Sequence, residues 1–212
     1  MEELHSTILE SDLQDPSLLK GGKIIFDRLL PLYSEENQSK DPEMFRIRMI
    51  LYPSNETFER FRIEISSEAD IFLFFKSEFD NDSFNSYKGQ MGLTCEFHDF
   101  PGQVIKLLSK ESNKDGEKYC IFLQAISENE CTLIFKQVLM IKKVDLFEIR
   151  FTPDTDEFLK SQIQYRYDMA RAELKREQSQ KADLLKIIKV KDPAQIKGTR
   201  MTKQTGSPKS GY

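Results

Sequence analysis

Two short runs set the tightest limit on what this chain can fold into. In Phe45-Arg46-Ile47-Arg48-Met49, and again in Arg60-Phe61-Arg62-Ile63-Glu64-Ile65, apolar and charged residues alternate with a period of two. Successive side chains of an extended strand point to opposite faces, so this pattern predicts two strands, each with one face on a core. Pro53-Ser54-Asn55-Glu56 between them supplies turn formers, and the pair reads as a hairpin. Similar segments predict further strands over Lys23–Tyr33, Ile71–Lys76, Leu93–Phe97, Tyr119–Ala125, Thr132–Leu139 and Val144–Phe151. That makes about seven or eight strands, with boundaries good to about two to four residues.

Two short helices interrupt them. Asp82 is placed to cap one through Phe84 and Tyr87, and Asp99 another that begins near Pro101 and carries Val104, Leu107 and Leu108 at helical spacing. The expected class is therefore α+β: a mostly antiparallel β-sandwich or barrel head with inserted short helices, over residues 23–153.

The pattern changes at Pro153. Asp154 and Glu157 have capping-box spacing, and neither Gly nor Pro follows until Pro193, so residues 154–190 read as one long helix. Steps of four and three connect Ile163, Tyr167, Ala170 and Leu174 into a heptad seam, which continues through the polar Glu177 and Lys181 to Leu184 and Ile188. A short, weak helix dimer is expected from such a seam. Residues 1–22 read as an acidic flexible tail, with Glu2, Glu3, Glu10, Asp12 and Asp15 against Lys20 in the first twenty. Residues 191–212 read as a basic disordered tail, with Lys191, Lys197, Arg200, Lys203 and Lys209 against Asp192.

Composition excludes several classes. With 39% hydrophobic and 31% charged residues the chain has enough apolar mass for a core and enough charge for solubility. Its longest unbroken apolar run, Ile71–Phe75, is far below the roughly 18 to 20 residues of a membrane helix, so no membrane insertion is expected. Three unclustered cysteines and no secretory signal at the start point to a reduced, intracellular protein. The net charge of −4 argues against a globally basic nucleic-acid binder.

Reactive groups do not converge. His98 beside Asp99 reads as an ordinary polar residue before a helix cap and lacks a placed nucleophile. No Cys or His spacing fits a metal, and Lys20-Gly21-Gly22-Lys23 precedes a strand without a phosphate-loop Gly-Lys-Ser/Thr, so it reads as a turn. No catalytic residue, cofactor or metal is therefore expected. The basic tail could contact phosphates or an acidic protein surface, and Ser207-Pro208-Lys209 has the form of a proline-directed phosphorylation site, but solvated tails of both kinds are common.

One anomaly is apolar. Val138-Leu139-Met140-Ile141 runs into Lys142-Lys143 between two predicted strands, where a turn should be polar. Either one strand continues through these residues into the core, or the hairpin presents an apolar tip. The pattern favours neither.

Residues 88–101, Lys-Gly-Gln-Met-Gly-Leu-Thr-Cys-Glu-Phe-His-Asp-Phe-Pro, lead into Val104, Ile105, Leu107 and Leu108. They resemble a segment of the centriolar cartwheel-hub family (spindle assembly abnormal protein 6), and the match is specific. Ile25–Tyr33, Ala69–Leu73 and Phe151–Asp156 extend the resemblance, which covers residues 23 to about 175. It implies a β-sandwich head with inserted helices, similar to the heads of DNA end-joining scaffolds, followed by a parallel coiled coil. Heads of that family associate through a hairpin tip that enters a hydrophobic pocket on the next head, and repeated contacts close a ring. Counting back from Pro153 places the tip at Ile141, with Met140 and Leu139 beside it, while Tyr87, Met91 and Phe100 near the helical insert are the expected pocket. Ile stands where the family usually has Phe, and the usual flanking consensus is absent. The helix stops near Pro193, so the chain looks like either the short hub-like paralogous branch, associated with basal bodies, flagellar bases and, in some parasites, the apical complex, or a shortened piece of the full-length hub protein.

The expectation is thus a non-enzymatic scaffold whose partners are its own copies and other centriole, basal-body or apical-complex proteins, with a cytoskeletal location. The alternative is a nucleic-acid-associated scaffold of the end-joining head fold. Acidic composition makes nucleic acid the weaker partner.

Overall fold

The computed structural model describes residues 13–34, 42–54, 57–110, 118–127 and 129–191. Its seven strands are β1 (Lys23–Ser34), β2 (Glu43–Pro53), β3 (Phe58–Ser67), β4 (Phe74–Asp80), β5 (Lys118–Ser127), β6 (Glu130–Val138) and β7 (Lys143–Phe151). Helices α1 (Asn81–Met91) and α2 (Phe100–Lys110) lie between β4 and β5, and α3 (Asp156–Lys191) follows β7. The strand order is β4-β3-β2-β1-β5-β6-β7. Every pairing is antiparallel except β1 with β5, where Tyr33 faces Phe122 and Ser34 faces Leu123. The two ends of the sheet approach each other: Lys76 N–H donates to the Thr152 carbonyl at 2.8 Å and Thr152 N–H to the Lys76 carbonyl at 2.9 Å. The sheet is therefore curled, with β4 brought back to the end of β7.

Alternation decides what the curl encloses. Ile47 and Met49 of β2 and Phe61, Ile63 and Ile65 of β3 point inward and are at most 1% exposed. Helices α1 and α2 add aromatic rings to this core. Phe100 is its hub, with ring centroids of Phe84 at 5.0 Å, Phe79 at 5.8 Å, Tyr87 at 5.9 Å, and Phe61 and Phe147 at 6.0 Å. Such pairs add to the free energy of burying the rings themselves.

Local corrections have physical causes. Leu93–Phe97 is no strand. Gly92, left-handed at φ 64°, ends α1, and the segment then turns to drop Phe97 into the core between the two helices. Asp80, not Asp82, caps α1: its carboxylate accepts from Ser83 N–H at 2.8 Å, and Ser83 Oγ accepts from Asp80 N–H at 2.9 Å. At α3 the cap is Thr155, whose Oγ1 accepts from Phe158 N–H at 3.3 Å, while Asp154 turns away into ion pairs.

The acidic tail also ends sooner than expected. Residues 13–22 are packed on the head through a 3-10 turn, Pro16–Leu18, capped by Asp15. Gly21 there has φ 78°, and a Cβ on Gly22 would meet Ile50 at 2.8 Å, which accounts for two glycines where a turn was expected. Residues 1–12 and 192–212, which include the basic tail, lie outside the described residues.

Candidate functional site

The β6–β7 hairpin settles the ambiguity of the apolar run. Val138 pairs with Lys143, and Leu139 N–H donates to the Lys142 carbonyl at 2.8 Å, closing the turn over Met140 and Ile141. Met140 is 104% exposed, Ile141 93% and Leu139 43%. These residues are not core. Tight hairpin turns favour Asn, Asp and Gly, so two large apolar residues there give the turn no conformational advantage. Below the tip, Lys143 Nζ lies 4.8 Å and Lys136 Nζ 5.1 Å from the centre of the Phe122 ring, which makes this end of the hairpin cationic.

The expected pocket residues are buried to different degrees. Phe100 is 1% exposed at the centre of the core and is not available to a ligand. Tyr87 ties α1 to β7, its hydroxyl donating to the Glu148 carbonyl at 2.7 Å, and burial pushes that hydroxyl's pKa far up. Met91 is half-buried at the C-terminus of α1. A cleft of about 290 Å³ does open nearby, floored by Phe58, Phe97 and His98, with Glu59, Asp80 and Asp82 at its rim. His98 stacks edge-on against Phe58 at 5.1 Å. Sequence reading missed this cleft because Phe58 and Phe97 are 39 residues apart, and only the capped start of α1 brings Asp80 and Asp82 to them.

The second missed feature lies on the outer face of β2–β4. Arg62 is 5% exposed and Glu64 1%. The Arg62 guanidinium reaches Glu64 at 2.8 Å, Glu78 at 3.0 Å and Asp154 at 2.9 Å, and packs over the Phe158 ring at 4.7 Å. Burial pushes the Glu64 carboxyl up, and that effect outweighs Arg48, Arg62 and the Ser17 hydroxyl acting the other way. Burial also pushes Asp154 up, but the Thr155 N–H, Lys76 and Arg62 outweigh it and hold this carboxyl below its ordinary range. Alternation of charges was legible. Its burial was not, because the cover is supplied by α3 and residues 13–18. Asp15-Pro16-Ser17 has the form of a helix start, cap followed by Pro, and was the available signal.

Helix α3 presents separate faces. Phe158, Gln162 and Arg166 recur at steps of four and meet the head. Of the expected seam, Ile163 is half-buried beside the head, whereas Ala170 is exposed and Tyr167 and Leu174 are each 55% exposed. At 3.6 residues per turn, Ile163, Tyr167 and Leu174 lie roughly 100–140° around the helix from Gln162, whereas Ala170 lies about 80° from it and lines the groove between α3 and the head with Arg46 and Arg166. Among the described residues no group of three or more His, Cys, Asp or Glu is placed to hold a metal, and no helix is long and apolar enough to cross a membrane.

Residues 24–151 match the family described as the centriolar protein SAS N-terminal domain. No curated protein matches the chain. Among solved structures, an N-terminal fragment of Leishmania SAS-6 containing parts of its coiled coil domain is similar at 15% identity, covering 84% of this chain and 99% of that one, with a TM-score of 0.65. The N-terminal coiled-coil dimer of C. elegans SAS-6 is similar at 19% identity, covering 77% and 98%, with a TM-score of 0.53. The C. elegans SAS-6 N-terminal domain alone is also similar at 19% identity, covering 63% and 99%, at 0.52. These likenesses show a shared fold.

Proposed function

Because this chain belongs to the centriolar SAS N-terminal domain family, we propose that it is a non-enzymatic structural module that assembles with copies of itself at a centriole, basal body or related ciliary-base or apical structure. The observation that carries the reading is the bare Met140–Ile141 tip, on a turn whose residues do nothing for the turn. Large exposed apolar side chains on a well-packed hairpin are a binding feature. The acceptor is the Phe58–Phe97–His98 cleft of a second head, whose carboxylates Glu59, Asp80 and Asp82 complement Lys142 and Lys143. Tip and cleft are different surfaces, so contact between them is head-to-tail and propagates from copy to copy, into a ring if the rotation closes.

Burying one Ile is worth roughly 1.5 to 3 kcal/mol. Association costs at least several kcal/mol of freedom, so one head pair is weak, with a dissociation constant on the order of 10 μM to 1 mM. The α3 seam supplies the second contact. The coiled-coil dimer of the C. elegans relative supports this use of Ile163, Tyr167, Ala170 and Leu174, and a paired helix raises the local concentration of heads.

Analytical ultracentrifugation of Ile141→Glu tests the reading. A charge forced into an apolar cleft costs more than the contact supplies, so this variant melts like the parent and loses head association, while Ile141→Phe retains it. A double reversal, Glu59→Lys with Asp82→Lys, abolishes association, and adding Lys142→Glu with Lys143→Glu to the same chain restores it. An Ile141→Glu variant that still associates as strongly as the parent would sink the proposal.

A further inference from the structure

The docked face of α3 carries Phe158, Gln162 and Arg166, about one residue per turn. Two of the three are held by the β3–β4 end of the sheet: the Phe158 ring lies 5.7 Å from that of Phe74, and Arg166 donates to the carbonyls of Ser67 and Ile71. Gln162, between them, is held by the segment before β1. Its Nε2 donates to Ser17 Oγ at 2.6 Å and to Asp15 Oδ1 at 3.2 Å, with all three residues buried. From there the bonds run into the head: Ser17 Oγ donates to Glu64 at 2.6 Å, Arg48 meets Asp15 Oδ2 at 2.5 Å, and the Tyr52 hydroxyl donates to the Ser17 carbonyl at 2.9 Å.

Asp15 and Ser17, with one residue between them, thus hold β2, β3 and α3 at once. They add no strand to the sheet and stand outside the apolar core. Their bonds are polar and buried, and a buried donor or acceptor that loses its partner is costly, so the segment has one well-defined seat. Gly22 presses it against β2 too closely for any side chain to intervene.

We propose that Asp15-Pro16-Ser17 is a clasp that fixes the direction in which α3 leaves the head, and that opening it leaves only the Phe158 and Arg166 contacts on the helix, too few to stop it swinging about residues 153–155 while the head stays folded. The inference goes beyond self-association and concerns a single copy. It therefore survives, or fails, independently of the tip and cleft.

Pulsed electron–electron distance measurement on the full chain tests it, with spin labels on unnatural amino acids at Thr94 and Glu177 and an excess of unlabelled protein to suppress distances between copies. Two variants break the clasp from opposite sides: Asp15→Ala with Ser17→Ala, and Gln162→Glu, which sets a second carboxylate against Asp15. In both, the width of the distance distribution should at least double, with the cooperative melting of the head retained. An unchanged width in both folded variants overturns the proposal. So does loss of cooperative melting in both, because the segment would then be part of the core and no clasp. If one variant alone unfolds, the width in the other decides.

Discussion

The two faces of β2–β3–β4 each bury residues and are built from opposite chemistry. Inside, Ile47, Met49, Phe61, Ile63 and Ile65 meet a core of aromatic rings. Outside, Arg62 and Glu64 are as inaccessible as those apolar neighbours, under α3 and residues 13–18. Apolar burial is non-directional and stabilises the head however the pieces approach. Ion pairs and hydrogen bonds stabilise one geometry and penalise the rest, and net they contribute little to stability. The inner face accordingly holds the head together, and the outer face sets how the head is joined to its helix.

The comparison predicts a graded series. The largest loss falls on the inner face: Phe100→Ala removes the ring that five others touch and should cost about 3–5 kcal/mol in denaturant unfolding. A loss below about 1 kcal/mol would show that the core reorganises and that the inner face is not the anchor. On the outer face, Arg62→Met alone strands Glu64 and Asp154 without their shared cation and should cost about 3 kcal/mol. Adding Glu64→Leu should return at least about 1 kcal/mol of that, a coupling read from the double-mutant cycle. Additive losses would mean that the pair does not act as a unit.

A smaller effect separates the faces by pH. The folded-state pKa of Asp154 is depressed, so its contribution to stability is present above the ordinary carboxylate value and is lost as pH falls through the lowered one. Glu64 is raised and acts in the opposite sense: its contribution is complete below the ordinary value and is lost as pH rises through the raised one. Asp154→Asn should therefore flatten the acid limb of stability measured from neutral pH down to about 2, whereas Phe100→Ala should shift the curve without changing its shape. The inner face can also be followed chemically. Burial pushes the Cys131 thiol up to about 12, so a thiol reagent at pH 8 should modify it only as the head unfolds. Smallest of all, Met140→Ser should leave stability within about 0.5 kcal/mol of the parent, since the tip touches neither face.

How far these properties were legible follows from the same contrast. Period-two alternation marked the strands at Phe45–Met49 and Arg60–Ile65, because it reports a local geometry. It failed at Leu93–Phe97, where five residues alternate by chance between two helices. The cap expected at Asp82 is Asp80 instead, an aspartate of the same type two residues earlier that the Ser83 hydroxyl and N–H select. Sequence offered Ile141 as tip or core, and the turn closed by Leu139 and Lys142 exposes it. The acceptor cleft and the clasp were out of reach for a different reason. Each joins residues distant in the chain, such as Ser17 and Gln162, and polar side chains that are usually solvated carry no mark of the cover a fold will place over them.

Tip and neck are the two ends of one strand. From Lys143 the nine residues of β7 run past an irregularity at Leu146 to Phe151, and α3 begins five residues later. At about 3.3 Å per residue this is a lever arm of about 30 Å, and a swing of about 10° at its root would carry the far end sideways by about 5 Å, the breadth of the side chain displayed there. Small angular play at the joint is thus magnified into a miss at the point of engagement, and in a closed circle of copies such errors would accumulate. In the assembly proposed above, the tolerance would be set by the stiffness of this joint.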